Sequence, residues 1–323
     1  MIAWILATAS SAQSVDVEIA SASGAFDAEA LEADMEALAN ETLRFIDIET
    51  YLDRMADASA IATKGMGVDY AESFERVTFG GSVGTAVSGV GIGFVNGDGE
   101  LPEGGFSAAV SAMAALNLGA FSGGEGALRH FRLSANGLYA PLPSGTPFNG
   151  TMFNYGGHVQ IGGLGLGQGD AMVQWGGLAI TGGIEGATYQ LDLGQPLPID
   201  AGGGLSWEAD GEYALSSSAI NVPLELSTSL KVSLARAWLG GGYDLGLTSK
   251  TAASADVDGP VTLDGTEVGS GGANVEADGT AAPGRIRLFG GAMVSLAMIR
   301  VLAQLNVGLD DTYGGHVGVR VAL

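Results

Sequence analysis

Residues 74–323 alternate apolar and polar side chains with a period of two, and this alternation limits what the chain can fold into. The last eleven residues, YGGHVGVRVAL, show it most clearly. Val319 and Val321 fall on one face of an extended strand there, and His316 and Arg320 fall on the other. One face suits lipid, and the other suits water or a polar interior.

The alternation divides the chain into eleven strand-like segments. A closed antiparallel barrel whose two ends lie on the same side of a membrane needs an even number of strands. Segment 172–195 is too long for one crossing, and Gly182, Gly183 and Gly186 favour a turn near its middle, so we divide it in two. We therefore predict an all-β fold, an antiparallel transmembrane β-barrel of about 12 strands, within a range of about 10–14, preceded by a short helical N-terminal segment. The segments are 74–94, 105–121, 128–140, 151–165, 172–195, 204–216, 222–232, 237–249, 284–296, 299–309 and 313–323.

The terminal octapeptide HVGVRVAL resembles the β-signal at the carboxyl terminus of bacterial outer-membrane β-barrels. The resemblance is carried by His316, Gly318, Val321 and Leu323, and Leu323 stands where Phe or Trp is more usual. It implies that the chain is placed in the bacterial outer membrane. It also implies that the barrel-assembly machinery is a partner and binds the C-terminal strand.

Composition excludes several classes of function. Lys and Arg number 13 against 36 Asp and Glu, and the formal net charge of -23 does not suit nucleic acid, whose phosphates require a basic surface. The absence of Cys excludes disulfides and thiolate metal sites, and it fits an exported protein. No stretch reaches the roughly 18 to 20 uninterrupted apolar residues of a spanning helix, so we expect any membrane span to be made of strands.

The N-terminal part has a different character. Residues 1–12 are read as a remnant signal peptide, residues 13–70 as a helical segment, and residues 71–323 as the barrel. Within 27–64, apolar residues recur at spacings of three and four, which predicts two amphipathic helices. They are too polar to span a membrane. The sequence leaves open whether they lie in the periplasm or plug the barrel.

Charged residues on the polar faces of the predicted strands are the candidate site. Opposite charges inside a barrel can pair across the lumen and hold it together, or they can form a constriction that selects solutes, and both interpretations remain open. The candidates predicted to face the lumen are Arg76, Arg132, Glu208, Asp210, Glu212, Glu225, Lys231, Asp244, Arg285, Arg287, Arg300 and Arg320.

The connections predict which end of the barrel faces outward. Those near 233–236 and 297–298 are short, as periplasmic turns are, whereas 251–283 is long, Gly-rich and acidic, as external loops are. This orientation puts an aromatic girdle at the outer rim, formed by Phe94, Phe106, Tyr139, Phe153, Tyr155 and Tyr313.

Signals for an enzyme or a cofactor are weak. His158 and His316 are predicted to face inward, but no nucleophile elbow or HExxH spacing accompanies them. The acidic loop lacks the regular carboxylate spacing of a calcium loop. We therefore expect no enzyme, no cofactor and no metal site.

The sequence favours a narrow or plugged porin-like channel, or a transporter of small solutes or lipids, in contact with outer-membrane lipid. A helical segment followed by a barrel resembles the layout of the long-chain fatty-acid channel family. The alternative is a structural or adhesive barrel that displays acidic loops at the surface. A lipid-modifying enzyme that uses His158 or His316 is a third hypothesis.

Overall fold

The computed structural model describes residues 14–22, 48–71, 76–89, 104–121, 126–141, 148–164, 173–202 and 205–323. The expected signal segment, the earlier of the two predicted helices and the rim residue Phe94 lie outside these ranges. Two short helical turns, Leu118–Phe121 and Ala127–His130, connect strands. The larger elements are β1 Ser14–Ala22, α1 Ile48–Ala62, β2 Val77–Ser88, β3 Gly105–Asn117, β4 Phe131–Pro141, β5 Phe148–Leu164, β6 Val173–Gly202, β7 Leu205–Val232, β8 Ala235–Leu263, β9 Thr266–Thr280, β10 Gly284–Leu296, β11 Ile299–Gly308 and β12 Thr312–Ala322.

The described strands form one antiparallel sheet of twelve strands, ten of which close into a ring. The ring runs from β2 through β3, β4, β5, β6, β7, β8, β10, β11 and β12 and back to β2. The seam lies between the first and last strands of the ring, where Phe79 pairs with Val321 and Val87 with Tyr313. The predicted antiparallel barrel is thus confirmed, with a strand number at the lower end of the expected range.

The period of two sorts side chains between the inside and the outside of the ring. In β11, Val301 and Leu305 are exposed on the outer face, whereas Gln304 and Asn306 are buried in the lumen. Strands of about 9 to 11 residues suffice to cross a bilayer, and β11 and β12 have 10 and 11 residues. Among the described residues, no helix is both long and apolar enough to cross a membrane.

Two predicted divisions are wrong, and they explain why the ring has fewer strands than expected. Segment 172–195 has no turn at its glycines, because β6 continues through them with a neighbouring strand on each side. Gly182, for example, pairs with Val159 of β5 and with Leu224 of β7. Segments 204–216 and 222–232 are parts of the single strand β7. Both strands are longer than a bilayer requires because they continue beyond the ring.

The parts of β6, β7, β8, β9 and β1 beyond the ring form a second region of the same sheet, which we call the extension. The predicted long acidic loop 251–283 is largely a β-hairpin within it, where β8 and β9 pair from Lys250 and Thr280 to Leu263 and Thr266. The outer edge of β9 is covered by β1, which pairs from Ser14↔Glu276 to Ala22↔Gly269. Residues 14–22 are therefore a strand and not part of a helical segment.

The two ends of the ring differ. At the turn end, the two-residue connections 233–234 and 297–298 lie beside the carboxyl terminus, where the backbone N–H of Arg76 donates to the carbonyl of Leu323 at 2.9 Å. At the extension end, the sheet continues past the ring. This difference agrees with short turns on one side of a membrane and larger structures on the other.

An arginine on the outer face should reveal whether that face lies in lipid. Ala303 is exposed in the middle of β11, and Leu309 is exposed just beyond the end of that strand. We expect Ala303→Arg to lower the free energy of unfolding in lipid bilayers by about 2–4 kcal/mol and Leu309→Arg by about 1 kcal/mol or less, because the cost of the charge falls toward the interface. Urea titration of both variants in lipid vesicles measures this. Equal effects of the two substitutions would contradict a lipid-facing β11.

Candidate functional site

A single segment, residues 48–71, fills the lumen, and we call it the plug. It consists of α1 and the turns and extended residues that follow it. The helix packs against β2, β3, β7, β8, β9 and β12. Leu52, Ala56 and Ile61 are almost completely buried, and so is Met66 after the helix. Apolar and small residues occur around much of its circumference, which suits a helix surrounded by protein.

Glycines in the ring and in the extension let the plug backbone approach closely. A Cβ at Gly105 of β3 would overlap the backbone of Arg54 and Met55, and a Cβ at Gly279 of β9 would lie 2.5 Å from the backbone N of Asp53. Real Cβ atoms do not make such contacts. The helix can occupy this position only because both residues are glycines, which have no side chain.

The first turns of α1 are attached to the extension end of the ring. The carboxylate of Asp53 accepts a hydrogen bond from the backbone N–H of Thr280 at 2.6 Å, and that of Asp57 accepts one from the N–H of Ala282 at 3.0 Å. Arg285 forms ion pairs with both Asp57 and Asp310. The helix thus enters the lumen from the extension end.

Lys64 connects the plug to the middle of the barrel wall. Its Nζ lies 2.9 Å from Oε2 of Glu185 on β6 and 3.4 Å from Oδ1 of Asp244 on β8, and the Lys64 and Glu185 side chains are only 1% and 2% exposed. Asp244 also accepts a hydrogen bond from Nε of Arg287 at 2.8 Å. Arg287 in turn pairs with Glu225. These five side chains form one buried network of alternating charge.

The end of the plug is attached to the turn end of the ring. Nη1 of Arg320 donates to the Asp69 carboxylate at 3.2 Å, and its Nη2 donates to the Val68 carbonyl at 2.8 Å. The Tyr70 hydroxyl donates to Glu225 at 2.6 Å, and its ring centroid lies 4.7 Å from that of Phe289. Arg236 donates to the carbonyl of Ala71. The plug therefore runs the length of the lumen from the extension end to the turn end.

The structure buries six of the candidate charges and half-buries two. The half-buried pair is Arg132, whose Nη1 donates to Gln160 at 3.3 Å, and Lys231. The six buried side chains are Glu225, Asp244, Arg285, Arg287, Arg300 and Arg320.

The other four candidates do not face the lumen, so their prediction is wrong. Arg76 is exposed at the turn end, just before β2. Glu208, Asp210 and Glu212 are exposed on the extension, on the same side of β7 as the outward-facing Leu224. The face on which these three carboxylates lie was predicted wrongly, because 204–216 is not a separate strand whose inward face can be assigned independently of 222–232.

Sequence reasoning missed the residues that attach the plug. Lys64 lies in the predicted helical segment and has no predicted role, and Glu185 lies where the sequence predicts a turn. Asp57 and Asp69 lie in a segment whose location was left open. A continuous alternation through 173–202 could have placed Glu185 inside, since it shares the inward phase of the buried Thr181.

The two inward histidines are buried on the lumen wall. Nε2 of His158 lies 2.9 Å from Oε1 of Glu185, so this ring belongs to the Lys64 network. His316 and Gly318 are buried, whereas Val321 and Leu323 are exposed on the outer face of the ring. Within the described ranges, no group of three or more His, Asp or Glu side chains is arranged to hold a metal ion.

Space between the plug and the wall remains at the turn end. A small pocket, partly open to solvent, lies there and is lined by polar side chains that include Asp69, Asn117, Arg132, Ser134 and Gln160. It has room for about one water molecule, while Lys64 and its partners fill the middle of the lumen.

Comparisons with known proteins identify one matching family and several solved structures of low similarity. A model of the Lsa36-like family matches residues 12–323. No curated protein matches the chain. Among solved structures, the toluene transporter TbuX of Ralstonia pickettii is 8% identical with a TM-score of 0.32, covering 83% of this chain and 93% of that one. The translocator domain of the autotransporter NalP of Neisseria meningitidis is 11% identical with a TM-score of 0.31, covering 90% and 97%.

Replacing Lys64 should loosen the plug without opening the ring. Lys64→Met leaves Glu185 and Asp244 in the interior with one cation fewer, and losing one partner of a buried pair costs about 3–5 kcal/mol. We expect proteinase K to cleave within 48–71 faster than in the wild type while the ring stays intact. The double variant Lys64→Met/Glu185→Gln should recover part of the protection, because it also removes one carboxylate. Wild-type protection of the plug in Lys64→Met would contradict a holding role for this network.

A methyl group at Gly105 should disturb the plug by steric overlap alone. We expect Gly105→Ala to lower the free energy of unfolding by about 1–3 kcal/mol, because the new methyl overlaps the helix backbone. Gly157→Ala on β5 is the matched control, since nothing lies within 4 Å of its Cβ position. Denaturant titration of both variants measures the difference. Equal stabilities would show that the plug does not approach β3 as described.

Proposed function

The chain belongs to the Lsa36-like family, and we propose that it is an outer-membrane β-barrel whose lumen is a path for small polar solutes, closed by its own plug. The observation that carries this proposal is the polar contact surface between plug and wall. Ion pairs attach the plug at its beginning, middle and end through Asp57, Lys64 and Asp69, and those of Lys64 and Asp69 are buried.

A polar contact surface favours a movable plug over a permanent core. Buried ion pairs add little net stability compared with well-packed apolar residues of similar volume. Their groups can, however, be rehydrated when the contacts separate. The wall would then present side chains that water can solvate, including Asn136, Asn154, Thr181, Ser227, Gln304 and Asn306. Such a wall favours hydrophilic solutes over lipids.

The width of the ring supports the same proposal. A barrel of about eight strands is nearly filled by its own side chains, whereas one of about 16 or more leaves an aqueous channel. A ring of ten has room for one helix, and α1 occupies it. Displacing that helix would leave a narrow, water-lined passage.

The outer membrane is the environment that the ring fits. Its outer face carries exposed Val, Leu and Ile side chains, such as Val301, Val317 and Ile286, and its turn end has the two-residue connections 233–234 and 297–298. β12 closes the ring, and its outward Val321 and Leu323 are accessible to the assembly machinery proposed to bind it. We assign no reaction to the lumen, since both inward histidines are buried and His158 is engaged by Glu185.

A second candidate function is display of the acidic extension at the cell surface, as in an adhesive or structural barrel. Exposed like charges face each other directly across β7 and β8, at Glu212↔Asp256 and Asp210↔Asp258. Opposed like charges destabilise a sheet, so a cationic partner that binds here would relieve the repulsion between them. Removal of 252–278 should then abolish a binding phenotype while the ring stays folded.

The channel proposal is tested by bilayer conductance of a variant whose plug can be crosslinked reversibly to the wall by a disulfide, which we call the lock. Oγ of Ser59 on α1 and Oγ of Ser217 on β7 are 3.1 Å apart, and the chain has no native Cys, so Ser59→Cys/Ser217→Cys can join the plug to the wall. We expect the wild type to conduct little in planar bilayers and Lys64→Met to open it. The lock in the Lys64→Met background should close the channel when oxidised and release it when reduced.

The matched control is the lock in the wild-type background, which should conduct little in either redox state. If the ring of Lys64→Met is folded and its plug is cleavable by protease, yet it never conducts, the channel proposal is wrong and the display function gains support.

A further inference from the structure

The plug and β1 together imply an unusual course for the N-terminal part of the chain. The segment enters the lumen at the extension end, where Asp53 and Asp57 are bound by the N–H groups of Thr280 and Ala282. It leaves at the turn end, where the carbonyl of Ala71 accepts from Arg236 at the beginning of β8. The ring then begins at Val77, beside the carboxyl terminus.

Counting passages through the barrel places β1 and Leu323 on opposite sides. The ten strands of the ring return the chain to the turn end, where Leu323 lies beside Val77. The plug adds one further passage inside the lumen. The chain at Ile48 is therefore on the side of the extension, and β1 is found there, paired with β9.

We propose that this protein displays its own N-terminal segment on the outer surface of the membrane, passing it through the lumen so that β1 becomes the edge strand of the extension. This inference rests on the proposed outer-membrane placement, in which the short turns face the periplasm and the extension faces outward.

The edge of β9 explains what this displayed strand does. Without β1, β9 would present a row of unpaired backbone N–H and C=O groups at the surface, which is a template for pairing with other chains. β1 satisfies that edge from Gly269 to Glu276, with one irregularity between Ile19 and Ser21. Among the described strands β1 is then the edge itself, so an edge strand of 15 residues is replaced by one of 9, and a shorter edge is a weaker template.

Single cysteines in the full-length chain test the proposal, because the native sequence contains none. Ser14→Cys and Val15→Cys, at two neighbouring positions of the strand, report on β1. Glu267→Cys reports on the extension, and Leu234→Cys reports on the turn end; both side chains are exposed. Intact cells are treated with a membrane-impermeant maleimide, and a second sample is treated after the outer membrane is permeabilised.

We expect at least one of the β1 cysteines to be labelled in intact cells to the extent of Glu267→Cys, and Leu234→Cys to be labelled only after permeabilisation. If Glu267→Cys is labelled in intact cells while both β1 cysteines behave like Leu234→Cys, the proposal is overturned and the outer-membrane placement stands. If Glu267→Cys itself is protected in intact cells, the placement fails and the proposal fails with it.

A crosslink in the purified protein tests the course of the chain without reference to the membrane. Val17 and Ala273 are direct partners in the β1–β9 pair, and such partners lie within reach of a disulfide. We expect Val17→Cys/Ala273→Cys to crosslink on oxidation and the offset control Val17→Cys/Asp278→Cys to remain reduced. Failure of the first pair to crosslink, or equal crosslinking of both pairs, would overturn the assigned position of β1.

Discussion

A charge that has been taken out of water needs an opposite charge close by, and this constraint joins the plug to the barrel. Glu185 and Asp244 lie buried on the lumen wall, and both are met by Lys64 of the plug. Arg287 links Asp244 to Glu225, and Glu225 also accepts from Tyr70 of the plug. If the plug leaves, these wall groups must be solvated by water. Under the proposed channel function, the lumen holds either the plug or water, and this network favours the plug.

The size of the ring and the composition of the plug helix fit the same account. A ring of ten strands leaves an interior that accepts one helix only if the side chains between helix and wall are small. Ala56, Ala58 and Ala60 supply small side chains on the helix, and Gly105 of the ring and Gly279 of the extension have no side chains to obstruct it. Shape thus sets the position of the helix, and the charges hold it there.

The sequence predicted the class of fold well because alternation is a local property. Each strand of the ring except β6 and β7 corresponds to one predicted segment, and in β12 the side chains alternate as the last eleven residues predicted. The splits in β6 and β7 were errors because a strand that continues beyond the ring carries the same alternation as two shorter ones. Glycines such as Gly182 look like turn residues, yet inside a sheet they are paired on both sides. The inward orientation of Arg287 and Asp244 could be predicted from the alternation alone. Their connection to Lys64 could not, because it depends on a contact between residues far apart in sequence.

Amide hydrogen exchange of residues 48–71 in the folded, detergent-solubilised protein tests the central claim most directly. If the plug fills the lumen as an integral part of the barrel, its helix amides should exchange about as slowly as those of β11 and β12, because they open only with the barrel or with release of the plug. Rapid exchange throughout α1 in a protein whose ring strands remain protected would contradict a plug held by the Lys64 network.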